Sequence, residues 1–205
     1  MIKLPNITLV CVDCINHNAA IHAIKQSIKE IKFGKVLFLT DRQFYSTKFK
    51  VKIIDTIKSK EQYSEFMIKE LGNYIDTEFC LVIQADGFII NPKLWDNDWL
   101  NYDYIGAPWW YDSDNVGNGG FSLRSKTLLK VVSGYIGYYS NVISPIELHP
   151  EDDFICRKLR FLLKTEFNIK FAPEEIAAKF SYEPNKKYPK FLNNTFGFHG
   201  LVLKN

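Results

Sequence analysis

The sequence predicts an α/β fold in which helices cover both faces of a mostly parallel, mixed central sheet. Short continuous apolar runs, of which Phe79–Ile83 is the clearest, are typical of strands that are buried on both faces. These runs alternate with segments whose apolar residues recur at helical spacing, and such alternation favours right-handed crossovers between parallel strands. The 205 residues are expected to form a single domain.

The first half of the chain has the order β-α-β-β-α-β. Its four predicted strands are Ile7–Val12, Val36–Leu39, Val51–Ile54 and Phe79–Ile83. The first helix carries isoleucines at positions 21, 24, 28 and 31, and Gly34 is expected to end it. The second helix is predicted from Lys60 to Tyr74, and the half looks like a nucleotide-binding α/β unit.

The second half is more irregular. Short strands are predicted at Tyr104–Ile105 and Phe121–Leu123, and Ser125 is placed to cap a helix that begins at Lys126. Further helices are expected to begin after Pro150 and Pro173, because proline followed by acids is typical of a first helical turn. The segment 112–117 is a candidate mobile loop, and 183–194 is expected to be an exposed basic loop.

Composition limits the classes of function. A net charge of +3 is too small to indicate a nucleic-acid partner. No signal peptide and no apolar run of membrane-spanning length is present, so we expect a soluble cytoplasmic protein without a transmembrane segment. Cys11 and Cys14 have thioredoxin-like spacing, which leaves redox chemistry, a zinc site and simple strand-end thiols open.

The stretch Leu81–Gly87 is the most informative motif. Its apolar residues enter an acidic corner at the carboxyl end of the predicted strand, the edge at which open α/β sheets bind ligands. Asp86 there is either a ligand for Mg²⁺ or Mn²⁺ or the cap of a turn. No glycine-rich dinucleotide fingerprint and no P-loop motif occurs in the sequence.

Three further patterns each allow two interpretations. The glycines of 117–120 permit either close approach of the backbone to a ligand or another strand, or a plain turn. The acids Glu151 and Asp152 are either reactive carboxylates or the first turn of a helix. His199, between glycines, is either a structural residue or a ligand.

The order of these motifs resembles a family of small GT-A-type glycosyltransferase-like proteins, catalogued as a domain of unknown function. The resemblance runs from about Tyr63 to Gly200. The matching blocks are Tyr63-Ser64, Leu81–Gly87, Tyr104–Trp109, Gly117–Ser125, Pro150–Asp152 and Phe196–Gly200. The implied fold is a single-domain GT-A-like, Rossmann-like α/β/α sandwich, with a nucleotide-binding half at 1–90 and a sugar- and acceptor-binding half at 91–205.

The resemblance also implies roles for individual residues. Asp86 is implied as the metal-binding acid of a DxD-like element whose first acid is replaced by Gln84, and His199 as the residue that completes the metal site. Asp152 is implied as the catalytic base, with Glu151 beside it.

Further residues are implied to contact the substrates. Those expected to bind the nucleotide are Gln84, Asp86, Asp41, Tyr63, Lys186 and Lys187. Those expected to bind the sugar or acceptor are Trp109, Trp110, Gly119, Gly120 and Arg124. For the two tryptophans, packing in the core is an equally open interpretation.

The function implied by the resemblance is transfer of a sugar from a nucleoside-diphosphate sugar to a hydroxyl acceptor such as a glycan. The expected donor is a UDP-sugar, the expected cofactor is Mn²⁺ or Mg²⁺, and the expected outcome is inversion of the anomeric centre. Peripheral association with the glycan-synthesis machinery is also expected. Two other classes stay open, namely a metal-dependent phosphoesterase or nuclease and a non-catalytic nucleotide-sugar-binding protein.

Overall fold

A mixed, mostly parallel sheet forms the centre of the molecule. The computed structural model describes residues 1–139, 147–184 and 194–200. The strands of the sheet are β1 (Ile2–Val12), β2 (Ile31–Thr40), β3 (Lys50–Ile53), β4 (Phe79–Ile83), β5 (Tyr104–Ile105) and β6 (Phe121–Ser125). Their order is β3-β2-β1-β4-β6-β5, and only the two pairs that involve β6 are antiparallel. The predicted fold class is therefore confirmed.

Helices cover both faces of this sheet. They are α1 (His17–Ser27), α2 (Lys60–Lys69), α3 (Lys126–Tyr139), α4 (Glu151–Asp153), α5 (Arg160–Phe167) and α6 (Glu174–Phe180). A π-helical turn, Phe154–Lys158, joins α4 to α5. A second, two-stranded sheet pairs β7 (Ser181–Tyr182) with β8 (Gly197–Phe198).

The core explains why β4 reads as a continuous apolar run. Leu81 and Ile83 belong to the buried cluster that contains the inner residues of α1. Cys80 and Val82 point to the other face, where they pack with residues of α2 and α3. Because successive side chains of a strand alternate between faces, a strand covered on both sides must be apolar at every position.

Serine caps set the starts of two helices, and the cap at Ser125 was predicted from the sequence. The Gln62 amide donates to the Ser59 hydroxyl at 3.2 Å, and the Leu128 amide donates to the Ser125 hydroxyl at 3.0 Å. Each bond satisfies one of the amides that a helix start leaves without an intrahelical partner. The second predicted helix begins at Lys60 as expected, but it ends at Lys69 and continues as a separate 3₁₀ turn, Leu71–Tyr74.

The prediction that Gly34 ends the first helix is wrong. Helix α1 stops at Ser27, and Gly34 lies within β2. At this point the pairing of β1 with β2 shifts register between Leu4 and Thr8, and a Cβ at position 34 would overlap the Pro5 carbonyl. Glycine is needed here for a close approach between strands rather than for a helix end.

Four other sequence predictions concern membrane spans, the cysteines, the division of the chain and the loop at 183–194. Among the described residues no helix is long and apolar enough to cross a membrane. The four cysteines are free, and Cys11 is buried in β1. The division of the chain near residue 90 stays a prediction, although β5 and β6 from the second half extend the same sheet as β4. Most of the predicted loop at 183–194 lies outside the described residues.

Candidate active site

A cleft of about 1300 Å³ opens at the carboxyl ends of β1 and β4. One wall comes from the segment after β1 and from the start of α2. The floor comes from Gln84, Ala85 and Asp86, immediately after β4. The opposite wall is formed by Gly119, Gly120, His149, Pro150, Glu151, Asp152 and His199. The cleft thus brings four of the motifs singled out in the sequence into one place.

Gln84 is tied at both ends of its amide. Its Nε2 donates to the Tyr63 hydroxyl at 2.9 Å, and its Oε1 lies 3.0 Å from Nε2 of His199. Burial raises the pKa of Tyr63, so the phenol stays neutral and serves as a hydrogen-bonding group. Gln84 therefore connects Tyr63 of α2 to His199 as well as lining the cleft.

His199 lies among several acceptor groups. Its Nε2 is 3.4 Å from Asp86 Oδ1, and its Nδ1 is 3.6 Å from Glu183 Oε1. Burial disfavours the charged ring, but the bonds with Asp86 and Glu183 outweigh burial and raise the pKa of His199 to about 9. The same contact with His199 lowers the pKa of Asp86. At neutral pH the two residues form a carboxylate–imidazolium pair.

Asn118 and Glu183 are functional candidates that sequence reasoning missed. Asn118 is buried, and its side-chain amide lies 3.1 Å from Nδ1 of His199. Its backbone has a φ of 33°, in the left-handed region where asparagine is enriched. That conformation, inside a glycine-rich block, is the one local signal that could have pointed to Asn118. Glu183 carries no such signal.

Gly119 and Gly120 leave no room for a Cβ, because side chains that line the cleft lie against both of them. A Cβ at position 119 would overlap the Glu151 carboxylate, and a Cβ at position 120 would overlap the imidazole of His199. The Gly119 amide donates to Asp152 Oδ2 at 2.8 Å. Of the two interpretations of this block, close approach is the one that the packing supports.

The two acids of the third motif have different surroundings. Asp152 is partly exposed in the cleft, and its second oxygen accepts from the Asp153 amide at 2.8 Å. Glu151 is buried, and its Oε1 accepts from Arg124 at 3.0 Å. Burial raises the pKa of Glu151, although Arg124 opposes the shift. Asp152 is therefore the more accessible carboxylate.

Several predicted binding residues are not brought to the cleft. Arg124 is fully buried beneath Gly119. Trp109 is buried against Gly117, whereas Trp110 is 59% exposed on the surface outside the cleft lining. Asp41 also lies outside the cleft lining. Its Oδ1 pairs with His17 Nε2 at 2.8 Å, and this bond lowers the pKa of Asp41. Lys186 and Lys187 lie outside the described residues.

The sequence matches one family model over most of its length. The model of the family described as "Protein of unknown function (DUF5672)" matches residues 37–199, from within β2 to His199. The chain belongs to this family. Among curated proteins, none matches the sequence.

Two solved structures with a similar fold are glycosyltransferases. One is a glycosyltransferase involved in the glycosylation of the major capsid of PBCV-1, with 14% identity and a TM-score of 0.57 over 97% of this chain and 94% of that one. Another is the apo form of GlyE from Streptococcus pneumoniae TIGR4, with 9% identity and a TM-score of 0.53 over 96% of this chain and 54% of that one. This DUF5672 protein therefore has a glycosyltransferase-like fold.

The donor set of the DUF5672 protein fits a divalent metal that is shared with a ligand. Mg²⁺ is commonly bound through one or two carboxylates together with substrate phosphates and water. Asp86 provides a half-exposed carboxylate, and His199 Nε2 provides a second donor once it loses its proton. Among the described residues no group of three or more His, Cys, Asp or Glu side chains is arranged to hold a metal by itself. Other ligands of such a metal would come from the bound nucleotide and solvent.

Proposed function

We propose that this protein transfers a sugar from a nucleoside-diphosphate sugar to a hydroxyl acceptor, with inversion and with a divalent cation. The observation that carries the proposal is the arrangement across the cleft. On one wall of the cleft His199 packs on Gly120 and Asp152 accepts from the Gly119 amide, and Asp86 lies on the floor beside His199. The glycosyltransferase-like fold supports the same conclusion.

The first requirement of such a transfer is stabilisation of the diphosphate leaving group. A bound Mn²⁺ or Mg²⁺ supplies this by neutralising the charge that develops on the phosphate oxygens. Asp86 and His199 are the residues that would hold it. Asn118, whose side-chain amide lies 3.1 Å from Nδ1, would fix the orientation of the His199 ring while Nε2 faces the metal. Orientation of a ligating imidazole through its other nitrogen is a general feature of metal sites.

The second requirement is a base that takes the proton of the acceptor hydroxyl as it attacks. The new bond joins the acceptor oxygen to the anomeric carbon, the bond to the diphosphate breaks, and the proton passes to Asp152. Each oxygen of Asp152 accepts one backbone N–H, from Gly119 and Asp153, and so keeps a lone pair for this proton. A single displacement of this kind inverts the anomeric centre.

Glu151 is a weaker choice for the base. Its carboxylate is only 8% exposed and is already engaged by Arg124. A general base must come within hydrogen-bond reach of the proton that it removes, and a buried ion pair restricts that access. We therefore assign the base to Asp152 alone.

The proposal is tested by screening nucleoside-diphosphate sugars for release of the nucleoside diphosphate, with and without Mn²⁺. Wild type is compared with Asp152→Asn and with Asp98→Asn, a matched change of an exposed carboxylate outside the cleft. Release that depends on Asp152 and not on Asp98 supports the transferase. Saturable binding of a nucleotide sugar without turnover favours the non-catalytic alternative. Release of phosphate from phosphomonoesters or nucleic acid favours the hydrolytic one.

A further inference from the structure

A buried ion pair lies directly beneath the cleft wall that contains Gly119 and Asp152. Arg124, on β6, is completely buried, and the side chain of its partner Glu151 is 8% exposed. Burying two charges is costly, and replacement of such pairs by apolar residues is often neutral or stabilising. The groups that this pair contacts indicate a role other than stability.

Arg124 contacts more than its counter-ion. Its Nη2 donates both to Glu151 Oε1 at 3.0 Å and to the Gly119 carbonyl at 3.3 Å, while its Nε donates to the Ser122 hydroxyl at 3.0 Å. The Ser122 hydroxyl in turn donates to the same Gly119 carbonyl at 3.0 Å. Two donors from one strand thus converge on a single carbonyl oxygen.

That carbonyl belongs to the residue that binds the proposed base. Glycine has the widest backbone freedom of any residue, so the direction of the Gly119 N–H is not set by local sterics. The Gly119 carbonyl and N–H belong to the two peptide planes that meet at its Cα. Holding the carbonyl therefore leaves fewer orientations for the N–H, which donates to Asp152 Oδ2 at 2.8 Å. The chain of contacts runs from Arg124 through Gly119 to Asp152.

The other end of the ion pair is anchored as well. The Glu151 amide donates to the Ser64 hydroxyl at 3.2 Å, which ties the residue before Asp152 to α2. The remaining Arg124 nitrogen, Nη1, has no hydrogen-bond partner in the described part of the chain, and the guanidinium carbon lies 5.3 Å from the Tyr104 ring centroid. The hydrogen bonds of Arg124 thus come from Nε and Nη2 together, a forked geometry that a lysine cannot reproduce.

We propose that Arg124 and Ser122 are positioning residues which hold Gly119 so that its N–H orients the Asp152 carboxylate towards the acceptor hydroxyl. Glu151 is the counter-ion of Arg124 in this arrangement and does not react. The catalytic part of this inference rests on the proposed transferase function, whereas the geometric part does not.

The geometric part is tested by amide hydrogen exchange of Gly119, followed by NMR in the whole protein without ligands. Ser122→Ala removes one donor to the carbonyl, and Arg124→Lys keeps the charge but loses the fork. Each is expected to speed exchange at Gly119 by about tenfold or more, while the buried β4 amides stay protected. Ser125→Ala is the matched control, because this serine lies at the far end of β6 and caps α3. It is expected to leave Gly119 unchanged.

The catalytic part is tested by the kinetics of the same variants with the donor and acceptor found in the screen. Misplacement of a catalytic group by about 1 Å costs on the order of 10²-fold, so kcat is expected to fall by about 10–100-fold. The KM for the donor is expected to stay within about twofold, because neither residue lines the donor side of the cleft. Loss through general instability would also affect Ser125→Ala.

The outcomes separate this inference from the proposed function. Unchanged Gly119 exchange in Ser122→Ala overturns the positioning role, even if Arg124→Lys fails to fold. Faster exchange with unaltered kcat overturns its link to catalysis. If wild type transfers no sugar but exchange rises in the variants, the transferase proposal fails while the positioning of Asp152 by Gly119 stands.

Discussion

Replacement of Gly120 by alanine is expected to disrupt the metal side of the site and to lower the stability of the protein. The new Cβ would overlap three atoms of the His199 ring, so the ring must move or the backbone must shift. Overpacking of this kind costs about 1–3 kcal/mol. If the ring instead swings away, it loses its bonds with Gln84 and Asp86, and hydrogen bonds to charged groups are worth about 1.5–3 kcal/mol each.

Two measurements follow from these magnitudes. For a chain of this size, each kcal/mol corresponds to about 2–4 °C in Tm, so Gly120→Ala is expected to melt about 2–12 °C below wild type. Displacement of one metal donor is expected to weaken UDP binding in the presence of Mn²⁺ by at least about tenfold in calorimetry. Binding of UDP in EDTA is expected to be weaker already in wild type and to change little in the variant.

Gly134 provides the matched control. It lies exposed in α3, and a Cβ there would meet nothing within 4 Å. Gly134→Ala is expected to stabilise the helix by about 0.5–1 kcal/mol and to leave Mn²⁺-dependent binding unchanged. The reasoning is refuted if Gly120→Ala melts with wild type and binds UDP with Mn²⁺ equally well.

Three further outcomes are expected. Asp152→Asn should lower turnover by about 10²–10⁴-fold, while its donor affinity in calorimetry stays near wild type. NMR of the wild-type product should show the inverted anomer, and a retained anomer would remove Asp152 from its role. Mn²⁺ affinity should rise about tenfold per pH unit from pH 7 until it levels off near pH 9, because the raised pKa of His199 means that metal must displace its proton. In His199→Ala this pH dependence should vanish, and a flat wild-type profile would contradict the assignment. Substitution of Lys186 and Lys187 by alanine together should weaken donor binding by about tenfold or more if they contact the diphosphate, whereas equal affinities would favour a solvated basic segment.

The sequence predicted the fold well where a single physical requirement determined the residues. β4 is an example, because burial on both faces requires an apolar residue at each position. Gly34 shows the opposite case. A glycine that follows a run of helically spaced isoleucines fits a helix end, and only the neighbouring Pro5 reveals that it serves strand pairing. The residue pattern of either strand alone does not show that the two backbones approach each other closely.

The sequence pointed to several residues that line the cleft, but it did not point to the residues that contact them. Asp86, Gly120 and Asp152 lie in short polar or glycine-rich blocks that stand out from the apolar runs beside them. Glu183 and Asn118 meet His199 only through tertiary folding, so spacing along the chain could not join them.

Residue type alone did not show which predicted binding residues lie outside the cleft lining. A tryptophan has the same chemistry in a core as against a sugar ring, and Trp109 is buried in the core. An arginine in a glycine-rich motif resembles a substrate ligand until its burial is known. Arg124, fully buried, therefore contacts the peptide that lines the cleft rather than the cleft itself.

The reversed direction of β6 has a consequence for the loop that precedes it. Since β5 leaves the sheet at the same edge at which β6 enters it, residues 106–120 form one loop at that edge. Its base is closed by a bridge between Pro108 and Val116, and Trp109 packs on Gly117 inside it. The tip of this loop is held from outside as well, because Asp114 Oδ1 pairs with Arg160 Nε at 2.8 Å and Arg157 lies over the Tyr111 ring. A change in the length of the tip is therefore expected to disturb the π-helical turn and the start of α5, which carry these two arginines.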